Sequence, residues 1–129
     1  MSDQASSKKF DTPDEVRDFA DHGRLEIVTL DNEISVGRGV FEPGWRWSND
    51  VKPIAETESC EAEHSGYCTS GSMVVRMNDG QEIRVSAGET FHIPPGHDAW
   101  VEGGEACELI DFQGFKDYAI VQAGIKKSA

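Results

Sequence analysis

The sequence predicts an all-β protein, a sandwich or barrel with the strand count of a jelly roll, preceded by one short N-terminal helix. Two observations carry the prediction. From Leu25 onward, short alternating or apolar segments are separated by glycine, proline, Asn-Asp or Asp-Gly punctuation. These segments number about eight or nine, which is a jelly-roll count. A chain of 129 residues with 37% hydrophobic content fits one domain and can bury a core.

Residues 1–11 are polar and small, a flexible lead-in with nothing to anchor against a core. The helix is expected over 12–23. Thr12-Pro13-Asp14-Glu15 offers an N-cap hydroxyl, a proline at the first helical position and a capping-box glutamate; Val16, Phe19 and Ala20 follow at helical spacing, and Gly23 is the stop. Strands are then expected near 25–30, 33–41, 45–47 and 59–69. Met73 to Met77 alternates, with Met73, Val75 and Met77 on one face; the turn Asn78-Asp79-Gly80 leads to Glu82-Ile83-Arg84-Val85 and closes a hairpin. Further strands fall near 90–94, 97–102 and 106–112, so the barrel occupies about 25–112 and residues 113–129 form a C-terminal segment.

Twelve Lys+Arg against 24 Asp+Glu give a net charge of −12, which repels a phosphate backbone or an anionic membrane, so no nucleic-acid or membrane partner is expected. The apolar runs are far short of the roughly 20 residues that span a bilayer. Ser2 to Lys9 has no apolar stretch of the secretory kind, which points to the cytoplasm. Cys60, Cys68 and Cys107 are odd in number, which suits free thiols or ligands in a reducing compartment.

At Gly88-Glu89-Thr90-Phe91-His92-Ile93-Pro94-Pro95-Gly96 a glycine, five residues and then Pro-x-Gly enter a tight turn. This resembles the second motif of the cupin superfamily, and Ser70-Gly71 before the Met73 strand resembles the end of the first. The resemblance implies a small jelly-roll β-barrel, frequently a homodimer, whose open end holds a metal ion or small ligand. Carried over residue by residue, the family's His-x-His pair, glutamate and last histidine fall on Glu58, Cys60, His64 and Ala99. The usual ligand set is therefore replaced.

On an extended strand residues of equal parity share a face, so Glu58, Cys60 and His64 can all turn inward, as can His97 and Ala99. His97 is then the replacement ligand. A thiolate and imidazoles suit a borderline-soft divalent metal such as zinc, iron or nickel. Cys60 and His64 lie about 13 Å apart on a straight strand at ~3.3 Å per residue, so the set needs a bend between them. His92, flanked by Phe91 and Ile93, is expected to face outward. His22 is expected to sit at the helix C-terminus and favour the dipole.

Trp45 and Trp47 share a face and, with Phe91, are expected to wall the pocket; Arg46, if turned inward, would clamp a carboxylate ligand. Trp100, opposite in parity to Ala99, is the candidate homodimer contact. Three functional readings stay open. In the first, a metal works as a Lewis acid or activates oxygen, with Glu58, Tyr67 or Asp98 moving protons. In the second, a metal-free barrel binds or senses a small polar molecule. In the third, Met73, Met77, Phe91 and the tryptophans fill the barrel and the protein is structural.

Overall fold

The computed structural model describes residues 5–19 and 21–113. Nine strands form two antiparallel sheets: β1 (Glu15–Asp18), β2 (Gly23–Thr29), β3 (Ser35–Phe41), β4 (His64–Ser70), β5 (Ser72–Met77), β6 (Glu82–Ser86), β7 (Thr90–Ile93), β8 (His97–Val101) and β9 (Cys107–Gln113). The larger sheet runs β1-β2-β3-β9-β4-β7 and the smaller β6-β5-β8. Isolated bridges from Arg46 to Trp100 and from Cys60 to His97 extend the smaller sheet beyond β8. The architecture is all-β and of jelly-roll type, as the punctuation predicted.

Alternation places the core between the sheets. Gly37, Gly39 and Phe41 of β3, Cys107, Leu109 and Asp111 of β9, and His97, Ala99 and Val101 of β8 are buried, while the residues between them are half-exposed. One buried cluster draws Leu25, Ile27, Cys68 and Ile93 from the larger sheet and Met73, Val75 and Val85 from the smaller. The hairpin read from Met73 to Val85 forms with Met73 opposite Val85 and Val75 opposite Ile83.

Where a helix is expected over 12–23, the chain forms the strand Glu15–Asp18; Ala20 lies outside the described residues. β1 pairs with β2 from Glu15 opposite Ile27 to Asp18 opposite Arg24. The cap signal is spent across the sheet: the Asp14 carboxylate accepts from the Thr29 main-chain N–H at 2.7 Å. Phe19 is fully buried and stacks on Phe41 at 5.3 Å, so tertiary packing overrides helical spacing. Gly23 is no helix stop but begins β2 at φ 142°, where a Cβ would strike the Val40 carbonyl. His22 meets no helix end either; its Nδ1 lies 2.8 Å from the Asp50 carboxylate, whose hydrogen bond holds the imidazole above its ordinary pKa.

Residues 45–47 make no strand of their own. Arg46 contributes only its bridge, and Trp47 opens two short helices, α1 (Trp47–Asp50) and α2 (Lys52–Ala55), that bury Trp47, Val51 and Ala55.

On the outer side of β2, buried Glu26 accepts from Arg24 at 2.9 Å and from Arg38 at 2.7 Å. Burial raises its pKa, but the two guanidiniums outweigh it and hold the carboxyl below its ordinary value. A depressed carboxylate pKa stabilises the fold above the unfolded value of about 4.3, and that stability is lost as pH falls through the folded value. Glu26→Gln is therefore expected to cost roughly 2 kcal/mol at pH 7 in urea unfolding. The gap to wild type should close in acid; a gap independent of pH would rule the ion pairs out as its source.

Candidate functional site

Cys60, His64 and His97 come together from three places in the chain. Cys60 is tied to the start of β8 by main-chain bonds from its N–H to the His97 carbonyl at 2.7 Å and from the Gly96 N–H to its own carbonyl at 2.8 Å. Gly96 takes φ 91° after Pro94-Pro95, which aims the chain into β8 with His97 as its first residue. Glu61, Ala62 and Glu63 then carry the chain from the smaller sheet to the larger, where His64 opens β4 opposite Ile93 of β7. This crossing is the bend that the spacing required. Cys60 Sγ stands 3.9 Å from His64 Nε2, and one ligand atom from each of the three residues lies within 4.8 Å of the others.

Both imidazoles are held by their far nitrogens. His64 Nδ1–H donates to Asp111 Oδ2 at 2.7 Å, and His97 Nδ1–H donates to the Pro94 carbonyl at 2.8 Å. An acceptor at Nδ1 fixes the proton there and leaves Nε2 with its lone pair, the second-sphere arrangement of ligating histidines. Burial pushes the Cys60 thiol up, yet hydrogen bonds from His64 and His97 outweigh it and bring the thiol down to about 6. Burial lowers His64, and Asp111 with the Cys60 sulfur raises it to about 10. The other thiols go the opposite way: burial raises Cys68 and raises Cys107 far more.

A cavity of about 40 Å³ adjoins this cluster, lined by Leu25, Phe41, Trp45, Trp47, Met73 and Phe91 with His64, His97 and Asp111. Trp45, Trp47 and Phe91, expected as a pocket wall, are among its lining residues. Arg46 is not. Its guanidinium packs 4.4 Å over the Trp100 ring and lies 3.6 Å from Asp98, outside the cavity. Trp100 is half-buried and carries that cation-π contact within the chain.

The expected proton carriers also stand elsewhere. Glu58 is 96% exposed and pairs with Lys52; Tyr67 lies on the outward face of β4 and is 40% exposed. Asp98 accepts from the Ser48 and Ala99 main-chain N–H groups. None of the three lines the cavity. Of the family's four ligand positions, Cys60 and His64 join the cluster, Ala99 faces the cavity and Glu58 faces water. His92 points outward to Glu63 at 2.7 Å.

Asp111 is the acid of the site, and sequence reasoning missed it. A signal was present: Cys107, Leu109 and Asp111 share one parity, so a carboxylate sits on an apolar face of β9, where it needs a partner. Among the described residues, no helix is long and apolar enough to cross a membrane.

No family model and no curated protein matches the chain. Solved structures do. The polyketide cyclase RemF from Streptomyces resistomycificus superposes with a TM-score of 0.58 at 16% identity, over 84% of this chain and 78% of that one. A cupin-like protein from Thermotoga maritima gives 0.52 at 16% identity over 85% and 79%. A protein of unknown function from an Acinetobacter species gives 0.54 at 14% identity over 77% and 89%. Likeness at such identities speaks for architecture alone. The two-sheet arrangement, the Pro-x-Gly turn entering β8 and these superpositions agree: this chain has the cupin fold.

Proposed function

We propose that this cupin-fold chain binds a small molecule beside a divalent transition metal held by Cys60, His64 and His97. The observation that carries the reading is the convergence of one sulfur and two imidazole nitrogens, with each histidine tied off at Nδ1. A single thiolate with two neutral imidazoles fits zinc, iron or nickel and leaves a coordination position open. When bound, such a metal supplies a Lewis acid. The chain's own residues do the rest: Asp111 fixes the His64 ring, Pro94 fixes the His97 ring, and Trp45, Trp47 and Phe91 exclude bulk water. Three free cysteines suit a cytoplasmic setting.

Elemental analysis of tag-free protein tests the reading. About one equivalent of metal per chain is expected; none, even after incubation with an excess, overturns it. Asp111→Asn keeps the shape but weakens the acceptor for His64, so metal affinity is expected to fall about 10–100-fold by calorimetric titration. An unchanged affinity would remove Asp111 from the centre.

A second reading rests on the same cluster. Cys60, His64 and Asp111 stand in the order nucleophile, base and orienting acid. It leaves His97, which also turns to the thiol, without a task, and we favour the metal for that reason. Rapid iodoacetamide labelling of Cys60 ahead of Cys68 and Cys107, in protein that takes up no metal, would reverse the preference.

A further inference from the structure

β6 is one edge of the smaller sheet and bonds to β5 alone. The Met77 N–H donates to the Gln81 carbonyl and the Ala87 N–H to the Gly71 carbonyl, in the register that sets Val75 opposite Ile83. Bonded and unbonded pairs alternate along an antiparallel ladder, so Ile83 and Val85 direct their main-chain groups to β5 while Glu82 and Arg84 turn theirs outward. Among the described residues nothing takes those groups up. Natural sheets blunt such an edge with lysines, prolines, bulges or a covering loop. β6 has none of these. Its exposed residues run acid, isoleucine, base, and Ile83 remains 37% exposed although its face of the strand is the one that buries Val85.

We infer that β6 pairs antiparallel with β6 of a second copy of this chain, about a two-fold axis at Ile83, so that the smaller sheets of two protomers become one. Three features meet in that register. Glu82 falls opposite Arg84 of the second copy, and these are the residues whose main-chain groups point outward, so four main-chain bonds close. The same positions set opposite charges side by side across the new ladder, twice by symmetry. Glu82 already stands opposite Arg76 of β5, and Arg76 opposite Asp98 of β8, so Arg84 of the second copy continues the alternation of sign across the joined sheet. Arg84 keeps its own Glu102, 2.6 Å away, and gains a second carboxylate. Finally, Ile83 meets Ile83 of the second copy as an unbonded pair, where side chains come closest, and is withdrawn from water. The edge of the larger sheet at β1 lacks this match: Arg17 bonds its own Glu15 at 2.6 Å, and the register centred on Val16 sets Asp18 against Asp14 of the copy. The contact uses neither the cavity nor Cys60, so it is independent of the proposed function.

Sedimentation velocity of the full chain tests the inference. One short strand per protomer makes a joint at the small end of interfaces, so a reversible dimer is expected whose share grows between roughly 10 μM and 1 mM. Glu82→Arg and Arg84→Glu each bring like charges face to face and are expected to weaken it about ten-fold or more. Mixed together, the two variants restore every opposite pair and should form a heterodimer tighter than either homodimer, which also shows that both are folded. Amide exchange locates the joint: protection of the Glu82 and Arg84 N–H groups is expected to rise with concentration, while that of Ile83 and Val85, bonded to β5, stays constant. A monomer throughout the range overturns the inference. So does a dimer that both variants leave intact, a mixture no tighter than its components, or protection that rises on other strands and not at Glu82 and Arg84.

Discussion

Zinc added in excess to chelator-stripped protein is expected to raise Tm by roughly 15 °C, and Cys60→Ser is expected to abolish the rise. A ligand that binds the folded state alone stabilises it by about 4.1 kcal/mol at a thousand times its Kd. At this chain length each kcal/mol moves Tm by roughly 3–5 °C. The donor atoms come from both sheets, Cys60 and His97 on the smaller and His64 on the larger, so an unfolded chain offers no comparable site. Serine matches the shape of cysteine but gives no thiolate. His64→Ala should act likewise and guards against a folding defect of either variant. A wild-type Tm indifferent to zinc, or an equal rise in Cys60→Ser, would defeat the assignment.

Gly66→Ala is expected to destabilise the protein by at least about 3 kcal/mol, read as a fall in Tm of 10 °C or more or as loss of soluble protein. Gly66 lies on the buried face of β4, between β7 and β9. A Cβ there would run into the Ile110 carbonyl and lie 3.0 Å from the Phe91 ring. The carbonyl belongs to the sheet ladder and cannot step aside, and Phe91 walls the cavity. Steric exclusion is the reason for this glycine; Gly80→Ala, where a Cβ meets nothing within 4 Å, is the contrast for φ-driven strain. Equal stability of Gly66→Ala and wild type would show that β4 and β9 can spread.

Strand signals were legible where alternation and turn chemistry agreed, as in the Met73–Val85 hairpin, whose register follows from Asn78-Asp79-Gly80. They misled at Thr12-Pro13-Asp14-Glu15, because a side chain able to cap a helix can equally accept a hydrogen bond across a sheet, as Asp14 does from Thr29. The cluster Cys60, His64 and His97 could be named from parity and chemistry, since sequence spacing constrains which side chains share a face. Its partners could not. Asp111 follows His64 by 47 residues, and their contact depends on β9 pairing with β4, a long-range choice that no local pattern encodes. Arg46 failed for a related reason: its neighbours Trp100 and Asp98 arrive through a bridge to β8, and they draw the guanidinium outward.

The position of β9 bears on how the chain reaches this state. It is the last described strand in sequence, yet it lies between β3 and β4 in the larger sheet and bonds to both. During synthesis at ~5–20 residues per second, several seconds separate the emergence of Phe41 from that of Cys107. Through that interval β3, joined by β4 once Ser70 has emerged, presents unsatisfied ladder groups, open to pairing with another nascent chain. Gly37, Arg38 and Gly39 in β3 are poor templates for such pairing. A ribosome-bound fragment ending before Cys107 should therefore be protease-sensitive throughout, and protection should appear in one step when the strand is released.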